Sequence, residues 1–422
     1  MSLSNELSRR SIQQSILQGQ ERYSFESAFM SEFASFENLL GRYQRMHVAA
    51  EATRVLAEQF FKEQPVDVGY HQVKLFELSI EAIFNATGED IPMADLLVSF
   101  ENAENYSVEA ENKISNAVKA IGTWLMEMLT KLGAALKGVI EKFTTASNAG
   151  KAKLEQRLEQ LKAKRDGKKA KKDEGKEDNA STPSTEAKGT SVEVPDIKIL
   201  GGTGINVINT VDKAQANTRK AGADMLAIVR AVSEAAKRFS PAKHGSKEGL
   251  DDFMKDIMLS AGMEREDNGG KREFQIVNGT GAQIVFNRKS DATVVAKAGK
   301  IPYEKTPGKM PGLDLDEAIA LTEKLIQAHD EVATIRKPME TVSTVFTQMA
   351  KGMQAGYQSA LNSIGTSANK DDADRAAQVS RVYSTLGHVL QTLGSLPSNI
   401  LMGYMQVQVA ADKYADAAVR GA

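Results

Sequence analysis

Between residues 24 and 61 large apolar side chains return every third or fourth position, through Phe25, Phe29, Phe33, Phe36, Leu39, Leu40, Tyr43 and Met46, the period of an amphipathic helix. Pro65 closes it. Val73, Phe76, Ile80, Ile83 and Phe84 predict a second, short helix over residues 69–86, ended by Gly88, and Pro92 opens a third that reaches Phe100. Residues 101–111 are polar and acid-rich and read as an exposed joint. The cleanest pattern follows over residues 114–143, where Ile114, Val118, Ile121, Leu125, Met128, Leu132, Ala135 and Val139 alternate steps of four and three. That spacing predicts a coiled-coil seam, continued more weakly by Leu154, Leu158 and Leu161. Residues 162–190 are then Lys, Asp, Glu, Gly, Ser and Thr with nothing bulky and apolar. Such a stretch cannot offset its conformational entropy by burial, and it is expected to be a disordered, protease-sensitive linker.

Beyond it, residues 207–239 are again helical in pattern, with Met225, Ile228, Val229 and Val232 on one side and Pro241 past the end. A shorter helix is expected over 253–259. The period then changes: residues 273–277, 283–287 and 293–297 are β-branched runs separated by Asn278-Gly279-Thr280-Gly281 and Lys289-Ser290-Asp291, predicting an antiparallel meander near residues 272–298. Pro302, Pro307 and Pro311 make a stiff loop, and residues 315–357 and 371–420 predict long helices. The expected fold is mostly α: two helical parts joined by a disordered charged linker, with a small antiparallel β meander in the C-terminal part. Its divisions are an acidic helical region (1–109), a basic amphipathic helix (110–161), the linker (162–190) and a mostly helical domain (191–422).

Composition supports this reading. Only 6% of the 422 residues are aromatic and Trp occurs once, which disfavours a β sandwich. Cysteine is absent, excluding disulfides, thiolate metal sites and a cysteine nucleophile. The first twenty residues lack the apolar run of a secretory signal, and no apolar stretch approaches the roughly 18 residues of a membrane span. The net charge of -2 conceals a step. Residues 1–109 hold 8 Lys+Arg against 17 Asp+Glu, whereas residues 110–176 hold 16 against 8. An acidic head of -9 is followed by a basic block of +8.

Chemistry-bearing patterns are sparse. His47, His71, His244, His329 and His388 are scattered, so solvated or core roles are favoured over metal ligation. The cluster Gly201-Gly202-Thr203-Gly204 is not followed by Lys-Ser/Thr, and a linker end is favoured over a phosphate cradle. No GxSxG is present. Asp251/Asp252 and Asp371/Asp372/Asp374 stand at expected helix starts, where capping explains them. No cofactor is expected, and an enzyme is the weaker class of hypothesis. The cluster Lys162, Lys164, Arg165, Lys168, Lys169, Lys171 and Lys172 suits non-specific neutralisation of DNA phosphates, with a plain solvated linker as the even alternative. The Trp124 region, flanked by Lys, has the make-up of an interfacial membrane helix, with core packing the favoured alternative.

Residues 76–84 (FELSIEAIF), residues 105–113 (NYSVEAENK), the Trp-containing Lys-rich helix and the pattern from Leu313-Asp-Leu-Asp-Glu-Ala through Arg336 together resemble the phiKZ-like internal head proteins of large tailed bacteriophages. The resemblance spans most of the chain through diffuse features. It implies a non-enzymatic protein of the capsid interior, made in the host cytoplasm, packed with DNA and other internal head proteins, and matured by a phage prohead protease that cuts after Glu in a Ser/Ala/Gly-x-Glu context. Ejection into the host is a further expectation, and a membrane-active or host-targeting effector working through residues 114–143 is the alternative. Matching triplets place candidate cuts after Glu81, Glu101 and Glu109, although Ser24-Phe25-Glu26, Ser35-Phe36-Glu37 and Ser191-Val192-Glu193 match equally. Glu109 is favoured because it falls in the expected joint and at the charge step; a cut there separates -9 from +7.

Overall fold

A computed structural model describes residues 28–56, 78–79, 81, 106–174, 191–194, 196–201, 207–244, 247–260, 269–277, 279–288, 294–302, 304–363 and 370–420. Helix α1 (residues 28–56) is the first element among the described residues. It buries Phe29, Phe33, Phe36, Tyr43, Met46 and Ala49, the face that the sequence period marks. Helix α2 (Tyr106–Glu174) is 69 residues long, roughly 100 Å at the helical rise. The C-terminal part contributes α3 (Val207–Ala236), α4 (Pro241–His244), α5 (Lys247–Ser260), α6 (Leu315–Asp330), α7 (Val332–Ser363) and α8 (Lys370–Arg420). The helical parts on the two sides of the linker pack together: α2 lies against α6, α7 and α8, and one hydrophobic cluster runs from Phe29 to Ala415.

The meander is present. Strands β2 (Gly269–Gln275), β3 (Gly281–Arg288) and β4 (Val294–Lys300) pair antiparallel in the order 2-3-4, with Phe274 opposite Ala282 and Ala282 opposite Lys300. Gly281, at φ 141°, is obligatory, because a Cβ there would stand 2.1 Å from the Phe274 carbonyl oxygen. A second pairing escaped the sequence pattern: β1 (Ser191–Val194) runs antiparallel to β5 (Gly308–Pro311). Both strands are four residues long, too short for an alternation to show.

At the centre lies α8, whose residues 386–405 are buried on every side. An all-round buried helix cannot be polar without partners, and its hydroxyls and amide turn back onto its own carbonyls: Thr392 donates to His388, Ser395 to Thr392, Ser398 to Ser395 and Asn399 to Ser395. Close packing is won with glycine. The Phe346 ring of α7 fills a slot between Gly133 of α2 and Gly394 of α8, where added Cβ atoms would lie 3.2 and 2.4 Å from it. Residues 114–143 of α2 bury more than the expected seam: besides Ile121, Leu125, Met128, Leu132 and Val139, the side chains of Met126, Leu129, Leu136, Ile140 and Phe143 are enclosed. A helix gripped from several sides needs this broader stripe.

Several boundaries differ from expectation, three of them instructively. Residues 162–174, read as disordered linker, continue α2; residues 175–190 lie outside the described residues. Leu158 and Leu161 pack on Ala318 and Ile319 of α6, and Lys, Ala, Glu and Arg propagate a helix that is already anchored. The expected joint at 101–111 is helical from Tyr106. The single helix expected over 315–357 breaks at Glu331, where neither Gly nor Pro signals it. There the carboxylate accepts from Gln215 (2.5 Å) and Arg219 (2.9 Å) of α3, so a tertiary clamp sets the break. The start of α6 follows its sequence signal, with Asp314 and Glu317 forming a capping box.

Candidate functional sites: the cleavage region, the basic helix end and the half-buried histidines

Of the candidate cleavage positions, Glu81 is helical and exposed, Glu101 lies outside the described residues, and Glu109 stands in the first turn of α2. The expectation of an extended joint at Glu109 is therefore corrected: an acidic residue at the positive end of the helix dipole favours helix there. A first turn is still where a helix opens most readily. Two competing triplets are in firmer structure. Phe36 is buried and Glu37 pairs with Lys300 at 3.5 Å, while Val192 and Glu193 are in the β1–β5 ladder opposite Met310 and Lys309.

The basic cluster divides into spent and available cations. Lys162 binds Glu323 at 2.8 Å, and Arg165 reaches Asp166 at 3.4 Å and Asp316 at 3.7 Å, tying the end of α2 to α6. Upstream, Arg157 bridges Asp412 (3.0 Å) and Asp416 (3.7 Å) on α8, and Lys151 holds Asp330. Lys164 and Lys168, four positions apart, are exposed on one face of the helix. Positions 171 and 172 continue that face in helical register, with 169 displaced from it; all three fall in the last turns of α2. This arrangement can meet a row of phosphates as point charges, without reading bases. The apolar face of residues 118–143, including the half-buried Trp124, is committed to the bundle.

Two half-buried polar clusters had no signal in the sequence beyond the presence of histidine. In the first, His47 of α1 stacks on His388 of α8, ring centres 4.5 Å apart, and lies 3.0 Å from the Ser384 hydroxyl through Nδ1. The Ser384 hydroxyl donates to Glu51 (3.2 Å), which also accepts from Arg54 (3.1 Å). With the serine proton committed to Glu51, His47 Nδ1–H must be the donor to Ser384, the reverse of the proton flow in a nucleophilic triad. Burial lowers the His47 pKa to about 4. In the second cluster, Ser147 of α2 and His329 Nδ1 of α6 are 2.7 Å apart beside a small cavity lined also by Gly150, Lys153, Gln408 and Asp412. Burial again outweighs the attraction of Asp330 and lowers His329 to about 4. Both imidazoles are neutral near pH 7, and both join helices.

Among the described residues no group of three or more His, Cys, Asp or Glu side chains is placed to hold a metal ion, and no helix is long and apolar enough to cross a membrane. Compared with protein-family models, curated proteins and solved structures, the chain matches none of them.

Proposed function

We propose that this chain is a non-enzymatic internal protein of a large tailed phage capsid, cut by the prohead protease and held non-specifically against packaged DNA. The observation that carries the reading is the charge step: a -9 segment ends at Glu109, and the residues after it sum to +7. Its physical counterpart is the end of α2, where Lys164 and Lys168 stay exposed although Lys162 and Arg165 are paired. Helical presentation favours phosphate contact over a coil, because the cations are already ordered along one face and lose less entropy on binding.

The test is a mobility-shift series on duplex DNA with the full chain. With roughly three or four phosphates neutralised, log K falls with log salt at a slope near -3 to -4, without sequence preference. Lys164→Glu/Lys168→Glu weakens binding and reduces the slope by about 2. Salt-independent binding, or an unchanged slope in the double variant, contradicts the DNA-facing role.

A further inference from the structure

The N-terminal helix is seated in a site built for it. Its apolar anchors follow the i, i+3/i+4, i+7 spacing of a helix lying in a groove. Phe29 meets Phe143 of α2 edge to face at 5.9 Å. Two helical glycines on two different walls leave the room it uses: a Cβ on Gly138 of α2 would lie 2.8 Å from Glu32 Oε1, and one on Gly387 of α8 would lie 2.5 Å from Tyr43 Oη. Glycine inside a helix weakens it, and in these slots the open space is filled by α1 and by nothing else that approaches as closely. One edge is closed by Lys300 of β4, which lies over the Phe33 ring at 4.8 Å and pairs with Glu37 at 3.5 Å. The far end is held by the His47–Ser384–Glu51–Arg54 chain of hydrogen bonds and the His47–His388 stack. Three elements, α2, α8 and β4, thus grip residues 28–56 directly.

We propose that residues 106–422 form a receptor groove for the helix of residues 28–56, so that a chain cut between them remains one particle of two fragments. The biological setting rests on the maturation reading above, but the groove does not. A cut after Glu109 then leaves the N-terminal fragment attached, and the particle changes its net charge from -2 to +7 only when that fragment is displaced. The N-terminal segment is then a helix-anchored fragment, not a leader that is lost on cleavage.

The experiment places the recognition sequence of a site-specific protease at residues 101–104 of the full chain, cuts the folded protein, and passes it through a sizing column in native buffer and in urea. Co-elution of both fragments in native buffer, with separation in urea, is the expected result. Elution of the N-terminal fragment alone in native buffer overturns the proposal, whether or not the remainder stays soluble. Phe29→Ala and Gly387→Val, first checked uncut for retained helical circular dichroism, are expected to speed loss of the fragment about 100-fold. If one of them does not fold, Phe33→Ala reads the same groove, and folded variants that release the fragment at the wild-type rate contradict it. Because no phage component is present, failure here is distinct from failure of the DNA-binding or processing tests.

Discussion

Lowering the pH from 7 to 4 is expected to remove several kcal/mol of unfolding free energy, and much of the loss down to pH 5 should come from His47 and His329. Both are held neutral by burial, with pKa lowered to about 4, whereas an unfolded histidine titrates near 6.5. The unfolded chain therefore takes up protons below about pH 6.5 that the folded chain refuses until about pH 4. Stability is full above that window and is lost as the pH falls through it, by up to about 3 kcal/mol for each histidine. The groups around them do not reverse the sign. Glu51 reaches His47 only through the Ser384 hydroxyl and is itself engaged by Arg54, and Asp330 beside His329 is engaged by Lys151. Urea unfolding at pH 7, 6 and 5 measures the effect in a range where carboxylates contribute little. His47→Gln/His329→Gln should flatten the profile there; an unchanged slope would show that the histidines are not responsible.

Phe346→Ala should cost about 3–5 kcal/mol, the range for a core aromatic. The ring is 1% exposed and sits between glycines of two other helices. Neither glycine offers a side chain to fill the void. The complementary change, Gly394→Val, overpacks the same slot and should also destabilise. Equilibrium denaturation of both variants decides the point, and a loss under about 1 kcal/mol for Phe346→Ala would mean that the slot collapses.

Periodicity exposed the elements whose burial is one-sided. The apolar face of α1, the meander with its turn glycines Gly279 and Gly281, and the Asp314 start of α6 all stand where local pattern and turn chemistry put them. What stayed hidden is set by partners distant in sequence. Glu331 ends a helix because α3 reaches it, residues 162–174 are helical because Leu161 has a seat on α6, and β1 exists because β5 lies beside it. The same limit applied to the sites. Exposed lysines could be named from composition, but which were spent on Glu323 and Asp316 could not. The His47–Ser384 and Ser147–His329 pairs join residues hundreds of positions apart and have no local signature.

The integration of α1 also changes what removal of residues 1–109 would mean. Stripping it from the bundle would expose the walls around Phe143 and Gly387, so a fragment of residues 110–422 prepared alone differs from a particle cut in place. Comparisons of DNA binding are accordingly best made on full-length variants and on the chain cut after folding.

The central claim, a DNA-packed capsid protein processed at the charge step, is tested most directly by mass spectrometry of proteins from purified phage particles, reading N-terminal peptides. The account predicts peptides from the C-terminal part beginning at Ala110, with Glu109→Gln shifting the start to a site further upstream, such as after Glu101 or Glu81. Absence of the chain from particles would contradict the virion role, and an intact N-terminus throughout, or wild-type processing in Glu109→Gln, would contradict the assignment of the cut.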